Sequence, residues 1–109
     1  MKPLREHDIE AHLVKRVKEL GGEIRKVKWI GRRGAPDRVV MLPMWETPRS
    51  LRAPSDRTIW VELKAPGKLA TFPANAHERK QAREHKRMRK MGQRVVVIDS
   101  FEGIEELLS

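Results

Sequence analysis

The sequence predicts a mixed α/β domain: a small mixed central sheet flanked by helices, in the order helix, three strands, helix, strand, helix. Three observations predict it. Two helical patterns stand at residues 4–20 and 77–91. Four short apolar or alternating runs stand at 24–30, 37–42, 58–64 and 95–98. Gly and Pro punctuate the joins between them. Strands that alternate with helices in this way build one layered core.

Each element has its own warrant. Ile9, Leu13, Val14, Val17 and Leu20 recur at helical spacing, and Gly21-Gly22 stop the helix. IRKVKWI at 24–30 alternates apolar and basic residues, as in a half-buried strand, and GRRG follows as a basic turn. DRVVML at 37–42 is a second strand, entered through Pro36. Residues 43–57 hold three prolines and no sustained period, and read as a long loop inserted between strands. TIWVELK at 58–64 is the third strand, and APGKLATFPANA a further loop. Residues 77–91 form a strongly basic helix closed by Gly92. VVVI at 95–98 is a buried strand, and FEGIEELL a short terminal helix. At 109 residues the whole chain, 1–109, reads as a single domain with one modest core.

Composition narrows the function classes. There are 24 Lys+Arg against 15 Asp+Glu, a formal charge of +9, which predicts attraction to a polyanion such as nucleic acid. With no cysteine, disulfides and thiolate zinc sites are excluded. No apolar run is long enough to cross a membrane, and MKPLREHDIEAH has no signal-peptide core. These features fit a cytoplasmic protein.

Within the third strand Glu62 and Lys64 are two apart, so they point to one face together with Trp60, while Ile59, Val61 and Leu63 take the other. Their Cα atoms lie about 6–7 Å apart, close enough to reach one small object. The tripeptide alone equally fits a salt bridge at a sheet edge. Asp37 adds a second carboxylate. If 37–42 and 58–64 pair as an antiparallel hairpin, Asp37 falls near the end that carries Glu62 and Lys64. Two carboxylates and a backbone carbonyl, such as that of Leu63, suit magnesium, and a lysine beside such a cation suits phosphodiester cleavage.

The helices contribute further candidates. Glu10 falls in the apolar arc of the first helix, where an acid needs a partner or an outlet to solvent, and Glu6 competes with it one turn earlier. On the second helix Gln81, His85 and Met88 share a face with Met91 at its edge; Arg79, Arg83, Lys86 and Lys90 lie opposite. Gln81 could hydrogen-bond a water or phosphate at the cluster. The histidines lack metal-ligand spacing and read as surface or boundary residues. The three tryptophans read mostly as core, although Trp45 could stack on a base.

"GAPDRVVML", then "VELKAPG", then a helix carrying a glutamine, then "RVVVI" resembles the virus-type replication-repair nuclease (VRR-NUC) domain of the PD-(D/E)xK nuclease superfamily. The resemblance runs from Ile9 to about Ile98. It implies a restriction-endonuclease-like αβββαβ core. It implies Asp37 as the metal-binding aspartate, Glu62 and Lys64 as the acidic and lysine positions, Gln81 as the glutamine of the following helix, and Glu10 as the acid of the first helix. Stand-alone members of this size come from bacteria and phages and are similar to homodimeric resolvases that cut four-way (Holliday) DNA junctions with Mg2+ or Mn2+. Members within larger eukaryotic repair proteins act on flaps. The expectation is therefore a metal-dependent, structure-selective DNA endonuclease of repair or recombination, working as a homodimer in a bacterial cell or phage-infected host. Arg32, Arg33, Arg38, Lys68, Arg79 and Arg83 are the expected contacts to the DNA backbone. The alternatives are a non-catalytic nucleic-acid-binding module, a flap or other repair nuclease, and a sequence-specific restriction-type nuclease. Residues 43–57 depart from the family pattern, in which these two strands join by a tighter turn.

Overall fold

Ile9, Leu13 and Val17 recur every four residues, so one stripe of the first helix is apolar and must be covered. In the computed structural model, which describes residues 3–43 and 57–109, all three are fully buried. This helix, α1, spans Glu6–Glu19. The Arg5 N–H donates to the Asp8 carboxylate at its start. Gly21, at φ +79°, turns the chain at its end through the left-handed region that a side chain resists.

Four strands follow: β1 (Glu23–Lys26), β2 (Arg38–Met41), β3 (Thr58–Leu63) and, after the helix α2 (Ala76–Lys90), β4 (Arg94–Ile98). The terminal helix α3 spans Phe101–Leu108. The sheet order is β1-β2-β3-β4. The first three strands pair antiparallel and β4 runs parallel to β3. A parallel neighbour requires a crossover, and α2 supplies it. The mixed sheet and the element order agree with the sequence reading. The first strand is shorter than its alternating pattern: the ladder ends at Lys26, where the chain departs toward the GRRG turn. The 43–57 loop falls almost wholly outside the described residues, and Trp45 with it.

Alternation along the strands sorts the two faces. Val40, Ile59, Val61, Leu63 and Ile98 meet α1 and α3 in one apolar core. Each fully buried aliphatic side chain there contributes about 1.5–3 kcal/mol. The other face of β3 carries Trp60, Glu62 and Lys64, and looks toward α2. This second layer is polar, and it holds the candidate site. The tryptophans correct the sequence reading: Trp29 is 37% exposed and Trp60 half-buried, because both lie where α2 ends and leaves the sheet uncovered.

Candidate active site

The β2–β3 register decides what Asp37 can reach. Arg38 pairs with Val61, so Asp37, one residue earlier, falls opposite Glu62. Arg38 itself follows the Val61 side of the sheet, toward α1. Its guanidinium therefore meets Glu10 from below and reaches back to Asp37 Oδ1 at 3.0 Å. One guanidinium thus serves two carboxylates. The Arg38 side chain is only 12% exposed, so a DNA phosphate would have to compete with both acids for it.

Lys64 lies just beyond β3, in a cage built by α2 and the loop before it. Its Nζ donates to Gln81 Oε1 at 2.6 Å and pairs with Glu78 Oε2 at 3.0 Å. It also sits 5.1 Å from the centre of the Phe72 ring, a cation–π contact. Asn75 caps α2 by accepting from the Glu78 N–H, and Glu78 Oε1 accepts from the Ala74 N–H. The Asn75 cap and the Ala74 N–H bond together fix Glu78 where Lys64 can reach it. The Ala74 N–H bond first, and then the Lys64 ammonium, hold the Glu78 carboxyl below the usual carboxylate range.

Glu62 is buried and accepts from, or shares a proton with, His85 Nε2 at 3.2 Å. His85 is 1% exposed and stacks on Phe72 with ring centres 5.9 Å apart. Its Nδ1 has no hydrogen-bond partner. The surface or boundary position expected for His85 is therefore corrected. The residue lies on the α2 face that covers Glu62, and a carboxylate removed from water requires such a partner.

A further pair braces the entry to the site. Arg32 grips Glu84 through three hydrogen bonds of 2.6–2.9 Å, and Arg87 approaches Glu84 at 3.7 Å. Glu84 is 3% exposed, and Arg32 holds its carboxyl below the ordinary range. The Arg32 expected on DNA is thus half spent on an ion pair, with 51% of its side chain exposed. The pair ties α2 to the turn that leads into Asp37. Gly34 in that turn has φ +82°, and a Cβ there would come within 2.8 Å of the Lys80 carbonyl.

The structure thus brings Lys64 and Gln81 into contact and aligns Asp37 with Glu62. Glu10 joins through Arg38. Among the described residues, no three acidic or histidine side chains converge as a metal cluster. Arg33 borders a hollow with Gly34, His77 and Lys80 at the start of α2. Lys68, Arg79 and Arg83 are exposed. Sequence reasoning missed Glu78, Glu84 and the burial of His85. Glu78 carried a signal in the Asn-x-x-Glu cap, and His85 in the helix face it shares with Gln81 and Met88; Glu84 carried none.

No family model matches the sequence. "Putative nuclease p44" of Acyrthosiphon pisum secondary endosymbiont phage 1 is 41% identical over 100 residues, covering 92% of this chain and 88% of that protein. A solved structure described as a VRR_NUC domain is 31% identical, with a TM-score of 0.65, and the match covers 94% of this chain and 91% of that one.

Proposed function

The chain belongs to the VRR-NUC nuclease family, and from that premise we propose that it is a divalent-metal-dependent, structure-selective DNA endonuclease that resolves four-way junctions as a homodimer. One observation carries the reading. The hairpin register sets Asp37 against Glu62 at the sheet end where Gln81 fixes Lys64.

The donor set suits Mg2+ or Mn2+: it is all oxygen, from Asp37, Glu62 and the Leu63 carbonyl, with Glu10 beside them. Arg38 already supplies one positive charge shared by Glu10 and Asp37. A bound metal would polarise a phosphoryl oxygen and lower the pKa of its water. The protein's own groups do the rest. Gln81 and Glu78 hold the Lys64 ammonium in one position, so that its charge meets negative charge developing on the phosphate without reorganisation. His85 orients Glu62, and Phe72 packs against His85 and under the Lys64 ammonium. The net charge of +9, with Arg33, Lys68, Arg79 and Arg83 exposed, draws the DNA backbone in. A two-fold dimer would place one site on each of two strands.

A binding module without catalysis is the competing reading. The occupation of Lys64 by Glu78 and the lack of a three-ligand cluster among the described residues favour it. A labelled panel of four-way junction, flap and linear duplex, with Mg2+ or Mn2+ and with chelator, separates the two. Junction cleavage that the chelator abolishes supports the enzyme. Binding that falls steeply with salt, with every substrate left intact, supports the module.

A further inference from the structure

The two most exposed large apolar side chains of the described residues are Ile30, at 93%, and Met91, at 78%. Both lie on one groove of about 590 Å3, beyond the end of α2, whose floor includes Trp29, Trp60 and Met88. The two indole rings lie 5.3 Å apart at 48°. Each indole N–H is already satisfied: Trp29 Nε1 donates to the Pro36 carbonyl at 2.8 Å, and Trp60 Nε1 to Gln93 Oε1 at 2.9 Å. The rings are therefore held in place, and what they offer an occupant is aromatic surface rather than hydrogen bonds. Arg32, Arg87 and Lys90 stand on the rim, with Glu84 as the single acid, which Arg32 already neutralises.

We propose that this groove stacks an unpaired nucleobase of a single-stranded DNA segment while its rim cations hold the adjoining phosphates. The inference rests on the nuclease reading above for the polymer involved, and adds which part of it is bound. Apolar floor and cationic rim together match a base attached to a phosphodiester. A second copy of this chain would bring two cationic rims together. A paired base cannot enter, because its faces are covered by its neighbours in the stack; an unpaired base at a branch, gap or end presents one. Position agrees. Trp60 and Glu62 share a face of β3 two residues apart, and Glu84 precedes His85, the partner of Glu62. The groove therefore opens beside the site, and a strand held in it would enter from an unpaired stretch.

The test is binding in chelator, so that cleavage plays no part. Labelled oligo(dT) and a fully paired duplex are titrated against wild type, Trp29→Ala, and the double variant Ile30→Ser with Met91→Ser. The double variant changes only exposed positions, so it reports on the groove even if Trp29→Ala unfolds. Wild type is expected to bind oligo(dT) with quenching of tryptophan fluorescence. Both variants are expected to lose about tenfold in that affinity, with less than about threefold change on duplex. Equal losses on both DNAs, or unchanged oligo(dT) binding, would overturn the proposal. So would a fall in solution mass of the double variant with oligo(dT) binding intact, which would mark the groove as a self-association face. Loss of cleavage in the substrate panel leaves this result unaffected, so the two readings fail separately.

Discussion

Replacing Arg32 with alanine strips a nearly inaccessible carboxylate of its main partner. Glu84 has 4% of its side chain exposed and receives three hydrogen bonds from Arg32; only Arg87, at 3.7 Å, would remain. Removing one member of a buried ion pair costs about 3–5 kcal/mol. Arg32 is half exposed, and Arg87 and water would compensate in part, so about 2 kcal/mol is expected. For a domain of this size that lowers Tm by roughly 10 °C. Thermal unfolding at pH 7 measures it. A second change identifies the cause: with Glu84→Gln added, the stranded charge is gone, and at least half of the loss should return. The pH dependence has a defined sign. The Glu84 carboxyl is held below its ordinary 4.5, so the pair's contribution is fully present above about pH 4.5 and is lost as pH falls through the lower folded value. The gap between wild type and Arg32→Ala should therefore close in acid. An unchanged Tm for Arg32→Ala, or a double variant no more stable than the single one, would refute the reasoning.

Other substitutions test the scaffold around the site. Gly34→Ala should cost about 2 kcal/mol or more in urea unfolding, since it adds a Cβ 2.8 Å from the Lys80 carbonyl at a positive φ. Asn75→Ala removes the α2 cap and should cost about 1 kcal/mol by the same measurement. His85→Ala leaves Glu62 buried without its partner and opens a void against Phe72, so a loss of about 2–4 kcal/mol is expected.

Much of the fold and part of the site were legible because they obey short periods. The two-residue alternation of TIWVELK correctly separated Ile59, Val61 and Leu63 from Trp60, Glu62 and Lys64. The hairpin that aligns Asp37 with Glu62 followed from two strand signals. What stayed hidden depends on contacts between distant residues. Glu84 lies in a helix so rich in charge that its burial leaves no mark in the pattern, and its partner Arg32 is 52 residues away. His85 shares the face of Gln81 and Met88 in the helical pattern, but as a polar residue it reads there as a boundary position, and its burial follows only from its pairing with Glu62. The exposure of Trp29 follows from where α2 ends, which the periodicity of either segment does not fix.

The most direct test is the single-turnover cleavage rate of a four-way junction by wild type and by Lys64→Ala, with junction binding measured in the same samples. Lys64 is held by Gln81 and Glu78 at the sheet end beside Glu62, and the proposed mechanism has its charge act on the transition state rather than on affinity. The variant is expected to cut about 100-fold or more slowly while binding within about threefold of wild type. Cleavage by Lys64→Ala at the wild-type rate would contradict the assignment of this site as the catalytic centre.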